Sequence, residues 1–239
     1  SALLPFSHTL QDTLLARMQV VAEKTDQWGR LAEHLGTRAT ARIHAGDVDA
    51  GVADIRSAAT MLSERSGDHL AALRLTVAGL GGGPAASSLF VDIQELAERV
   101  DDVAADRYAG VNVGSLALLS ALEVKLSWDT LSADDRVDVF DARATVRATK
   151  LGDHEGAAVE ALRALNLRPN DAHRLSAALS RAEEASSHYH ALIAHGLVLE
   201  NAASSQDRDD SRAAISLAFR DDFKRPDLAL RSELAAWEV

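Results

Sequence analysis

The residues best equipped for chemistry gather between positions 184 and 195. Glu184, His188 and His195 are separated by four and then seven residues, one face of a helix, with His190 beside them. Imidazole and carboxylate groups on one face could hold zinc or another divalent ion. The segment has no H-E-x-x-H motif and no paired E-x-x-H arrangement, the spacings that close a metal site on helices. These histidines are therefore expected to pack or cap on a helix surface, and a helical metal-binding enzyme is a subordinate reading.

Other candidates reduce in the same way. Asp134, Asp135, Asp138 and Asp141 could divide acid and base roles if a cleft separated their pKa values. An acidic first turn also simply complements the helix dipole, and that is the role expected here. Gly81-Gly82-Gly83 could wrap a phosphate, but it lacks the lysine and serine or threonine of a P-loop, and no strand precedes it. It is read as a flexible connector. His69 and His154 each follow a Gly-Asp pair, so they could be twin pH-sensitive groups; packing at the start of a helix is the simpler role. Trp28, Trp128 and Trp237 are read as core or edge packing. No catalytic residue, cofactor or metal ligand is assigned.

The elements that would position such residues are all helical. The chain has 239 residues, 47% of them hydrophobic but only 4% aromatic. Much of the apolar content is alanine, which favours helix and lets helix axes approach closely. Apolar residues recur at three- and four-residue spacing, most cleanly at Leu89, Ile93, Leu96, Ala97 and Val100. Helices are predicted over 8–23, 27–44, 49–65, 69–79, 87–100, 114–127, 133–150, 154–166, 171–185, 188–203, 207–220 and 227–237. Ser132 with Asp135 resembles a capping pair, and Pro226 suits a first helical turn. The stretch 101–114 could separate two subdomains of an otherwise single domain spanning 1–239.

The net charge of −11 disfavours nucleic acid and anionic membrane as main partners, and permits a basic one. The absence of cysteine removes disulfides and thiolate chemistry. No apolar run approaches the roughly 20 residues of a membrane span, and no signal-peptide pattern heads the sequence. A cytoplasmic location is expected.

One pattern occurs twice. Gly67-Asp68-His69 through Pro84 matches Gly152-Asp153-His154 through Pro169, with Ala72 and Ala157, Gly79 and Ala164, and Leu80 and Leu165 in equivalent places. Gly46 begins a third, partial copy with Gly51 and Ala58. Internal repetition of this kind marks stacked helix pairs. The pattern resembles the second half of a tetratricopeptide repeat, in which a glycine turn joins two antiparallel helices and a proline ends the unit. The resemblance implies an all-α fold, an α-solenoid of antiparallel helix pairs with about 11–12 helices. It departs from that family in the first helix of each unit. The places of the bulky signature hold Arg56, Ala59, Thr60 and Ser63 in one copy and Asp141, Ala144, Thr145 and Ala148 in the other.

In that family the first helices line a groove for peptides or protein surfaces. The corresponding positions here are Asp54, Ser57, Met61, Glu64 and Arg65, then Val139, Ala142, Val146, Thr149 and Lys150. They lack the lysine, arginine and asparagine set that grips a C-terminal carboxylate. The expected function is a non-catalytic scaffold for a protein or peptide partner. The opening Ser-Ala, without methionine, also fits a sensor or regulatory piece of a larger signalling or transcription protein.

Overall fold

The chain reverses direction by one repeated device. Among the described residues six inter-helix junctions turn on a single residue of positive φ: Asp26, Gly46, Gly67, Gly152, Ser186 and Lys224. Glycine enters this left-handed region without a Cβ penalty. The amide after the turn then reaches back to the helix just left. Asp47 N donates to Arg42 O and Asp153 N to Arg147 O, each at 2.9 Å. These bonds satisfy carbonyls that a helix end leaves without partners. Asp68 and Asp153 next cap the following helix, accepting from Ala71 N and Gly156 N at 2.9 Å.

The computed structural model describes residues 8–105, 111–201 and 204–234. Among these, twelve α-helices follow one another without a strand. The chain divides into two compact units, Ser1–Thr130 and Leu131–Val239. The first holds α1 (His8–Thr25), α2 (Trp28–His44), α3 (Val48–Thr60), α4 (His69–Gly79), α5 (Leu89–Ala105) and α6 (Val113–Leu126). A π turn, Met61–Arg65, extends α3. The second holds α7 (Ala133–Lys150), α8 (His154–Leu167), α9 (Ala172–Glu184), α10 (His188–Asn201), α11 (Ser205–Leu217) and α12 (Pro226–Leu234). Within each unit every helix packs on the one before it, the succession expected of a solenoid-like arrangement.

The two copies of the duplicated pattern share their construction. In both, a helix ends at a left-handed glycine, an aspartate caps the next helix, and a histidine opens it. Ala72, Ala157, Leu80 and Leu165 are all buried. Gly79 lies where a Cβ would come within 2.4 Å of Ile55 Cδ1 and 2.7 Å of Leu89 Cδ1, so a larger residue there would push those side-chain ends aside. The copies differ after the second helix. Pro169 follows α8, whereas Pro84 sits inside a 3-10 segment, Leu80–Ala86, that kinks at Gly83 (φ 69°). That segment corrects the reading of the triple glycine as a flexible connector. Leu80 and Ala86 at its two ends are buried, and Gly82 lies against Val48 and Ile43.

Small residues build the cores. In the first unit Ala22, Leu31, Ala32, Leu35 and Ala58 form one cluster, joined by Trp28, Met61, Leu62 and Leu75. In the second, Ala161, Leu162, Leu165, Ala178, Ala194 and Val198 form another. Trp128 is buried edge-on to Phe90, with ring centroids 6.0 Å apart. Trp237 lies outside the described residues, as do positions 106–110 of the stretch 101–114. The ends of that stretch are stapled together. Asp101 accepts from Gly114 N at 2.6 Å and from Ser115 N at 3.0 Å, which ties α5 to the start of α6. Ser132 and Asp135 form the expected capping box, and α12 begins at Pro226. Among the described residues no helix is long and apolar enough to cross a membrane.

The turn device makes a prediction. Gly152→Ala forces a side chain into the left-handed region and should cost about 1–2 kcal/mol. Gly29→Ala, on an exposed helical position with nothing within 4 Å, should gain about 0.5–1 kcal/mol. Urea unfolding followed by circular dichroism measures both, and effects of the same sign would contradict the assignment.

Candidate functional site

Two hairpins are clamped from inside by the same set of charges. Between α2 and α3, Arg38 donates through Nε and Nη2 to Asp54 at 2.7 and 2.5 Å, and Arg42 Nη1 adds a bond at 2.9 Å. Asp54 is only 5% exposed. Between α7 and α8, Arg143 donates through Nε and Nη2 to Glu160 Oε1 at 3.0 and 2.8 Å. Arg147 Nε stands 3.4 Å from the same oxygen, and Arg163 Nη1 bonds the other at 3.2 Å. Glu160 is 2% exposed and Arg143 6%.

The sequence carries this repeat as well. Arg38-Ala39-Thr40 and Arg42 answer to Arg143-Ala144-Thr145 and Arg147, and the acid follows eight residues after the turn glycine in both. From arginine to glycine the second copy is one residue longer. A wide bond from Leu151 N to Val146 O absorbs the extra residue in the last turn of α7. In the α3–α4 hairpin the equivalent places are Ala58, Leu62 and Leu75, all in the apolar cluster. Buried charge sets and apolar residues are alternative ways to fill such a crossing, but a buried charge that loses its partner is costly.

A pocket opens beside that hairpin. Arg56 and the small residues Ala59, Thr60 and Ser63 line a cavity of about 210 Å³ with Glu64, Thr76, Asp92, Glu95, Leu96 and Arg99. Its floor is the buried set Ala59, Ser63, Thr76 and Leu96. Thr76 Oγ1 donates to Ala72 O at 2.8 Å. At the rim, Arg56 is held by Asp92 Oδ2 at 2.8 Å and Ser88 O at 2.9 Å. Ser63 Oγ lies 2.8 Å from His69 Nδ1, and Arg99 Nη1 donates to it at 3.4 Å. A hydroxyl beside an imidazole begins a nucleophilic pair, but that chemistry needs a third group to orient the ring. Among the described residues no carboxylate contacts His69.

The residues assigned to a groove scatter over several surroundings. Asp54 is inside the α2–α3 clamp. Met61 packs on the Leu31 cluster, and Arg65 lies over the Trp28 ring, 5.4 Å from its centroid. Ser57 is exposed and bonds Ala53 O. Glu64 alone of this group reaches the pocket. On α7, Val139 is buried, Ala142 and Val146 are half-buried, and Thr149 and Lys150 are exposed. Asp92, Glu95 and Arg99 were not singled out from the sequence. Their signal was the absence of bulk opposite them on α3.

The other candidates have separate surroundings. Glu184 bonds Arg181 at 2.6 Å and stands 3.8 Å from His154. His188 lies 3.0 Å from Asp222. His190 is buried, and burial pushes the His195 pKa below the usual histidine range. Among the described residues no three metal-ligating side chains converge. Asp134 and Asp141 pair with Arg168 and Arg174. The Gly156 amide, helped by Arg147, holds the Asp153 carboxyl below the usual carboxylate range.

No protein-family model matches the chain, and no curated protein sequence matches it.

Two outcomes follow from these charges. Glu160→Ala strands Arg143 in the core and should cost about 3–5 kcal/mol. Pairing it with Arg143→Met should recover most of that loss in urea unfolding; an equal loss in the double variant would contradict the clamp. Below pH 6.5, the ordinary histidine value, the unfolded chain takes up a proton that folded His195 resists. Stability should therefore fall as pH drops from 7.5 to 5. His195→Phe should flatten part of that slope, and an unchanged slope would contradict the role of burial.

Proposed function

We propose that the chain is a TPR-like helical scaffold that binds a peptide or protein partner in the cytoplasm without a chemical step. The partner enters through the pocket between α3, α4 and α5. The single observation that carries this reading is the cavity itself. It stands where a repeat of this kind would be filled by bulky side chains of its own. Here Ala59, Thr60 and Ser63 leave that volume open, and charged residues surround it. A concave site with a buried floor and a few charges at its rim suits capture of one protruding side chain.

Support also comes from the frame around the site. Arg38, Arg42 and Asp54 fix α2 on α3, and Arg56 bridges α3 to Asp92 of α5. A site held on fixed helices binds with less ordering cost than one on loops. The acidic balance of the chain disfavours nucleic acid as the occupant.

Selection from a displayed random-peptide library on the immobilised full chain tests this reading. Enriched peptides should bind at least about tenfold more weakly to Ala59→Leu, which fills the cavity, with circular dichroism unchanged. No enrichment would contradict the scaffold reading. Ester hydrolysis that vanishes in Ser63→Ala would contradict the absence of a chemical step.

A further inference from the structure

The charges of the pocket are not balanced among themselves. Arg56 is engaged by Asp92 and by the Ser88 carbonyl. Among the described residues Arg99 makes one polar contact, the 3.4 Å bond to Ser63 Oγ. Glu64 and Glu95, both exposed, carry no hydrogen bond or ion pair among the described residues. Setting the Arg56–Asp92 pair aside, the lining holds two carboxylates, Glu64 and Glu95, against the single guanidinium of Arg99. The site is left with a net negative charge in a chain that is itself at −11.

Volume and lining narrow the occupant further. About 210 Å³ is room for one large side chain rather than a folded surface. Ala59 and Leu96 contribute apolar side chains to its lining. An aliphatic stem with a cationic head satisfies both requirements, because arginine and lysine bury their stems and keep the charge toward polar groups. A carboxylate occupant would meet two like charges and only one donor residue not already bound to an acid.

We propose that this pocket is the recognition site for a basic side chain, arginine or lysine, presented by the partner polypeptide. The stem lies against Ala59, Thr60 and Leu96, and the cation sits toward Glu64 and Glu95. The inference rests on the scaffold reading and adds the chemistry of the partner to it. Arg99 opposes the occupant and limits affinity. Encounter with a basic segment is also steered by the charge of the whole chain, an effect that salt screens.

The test uses the same displayed library, followed by synthesis of the enriched peptides. Support requires an arginine or lysine common to them, whose replacement by alanine weakens binding at least tenfold. Glu64→Gln/Glu95→Gln should weaken it by a similar factor, Arg99→Gln should leave it equal or tighter, and N-acetyl-arginine amide should compete. Enriched peptides that bind with no basic residue overturn this inference and leave the scaffold reading standing. So do acidic peptides lost on Arg99→Gln. A library that yields no binder overturns both.

Discussion

A carboxylate buried between two helices must keep its arginines, and two hairpins of this chain are organised around that requirement. Asp54 and Glu160 are each out of water and each bound by guanidinium groups from the neighbouring helix. Bonds of this kind are directional and charge-assisted, so they fix rotation and register where alanine contacts alone would allow sliding. A core rich in alanine gains little from each contact. The clamps supply the specificity that large side chains give elsewhere.

The pocket follows from the same economy of bulk. In the α3–α4 hairpin apolar residues take the place of the charges, and the face of α3 toward α5 carries only small side chains beside Arg56. Helix backbones on either side are set by the clamp, by the Arg56–Asp92 bridge and by Gly79. They do not collapse to fill the space. Rigid surroundings and missing volume together make a cavity, and the rim charges give it a preference.

Much of the fold was legible because it is local. Gly-Asp turns, the Ser132 cap, Pro226 and the apolar periods located twelve helices, since each signal acts within a few residues. The clamps were hidden by a single extra residue at Leu151, which breaks the register between copies while the backbone absorbs it in one wide turn. Spacing on α3 identified a face but not the helix that covers it. Asp54 and Met61 turn toward α2, and only Glu64 turns toward the cavity. The pocket left a negative signal, small residues where bulk was expected. Its other wall, Asp92 to Arg99, is 36 residues from Arg56 at its nearest bond, a pairing no local pattern shows.

Hydrogen exchange of the native full chain tests the central claim most directly, because amides report how tightly each helix pair is held. The slowest exchange should lie in α2–α3 and α7–α8, around Asp54 and Glu160, well below the rates of α1 and α12. Exchange in those hairpins as fast as in α1 and α12 would contradict the account, for the buried charges would then not be what fixes the frame.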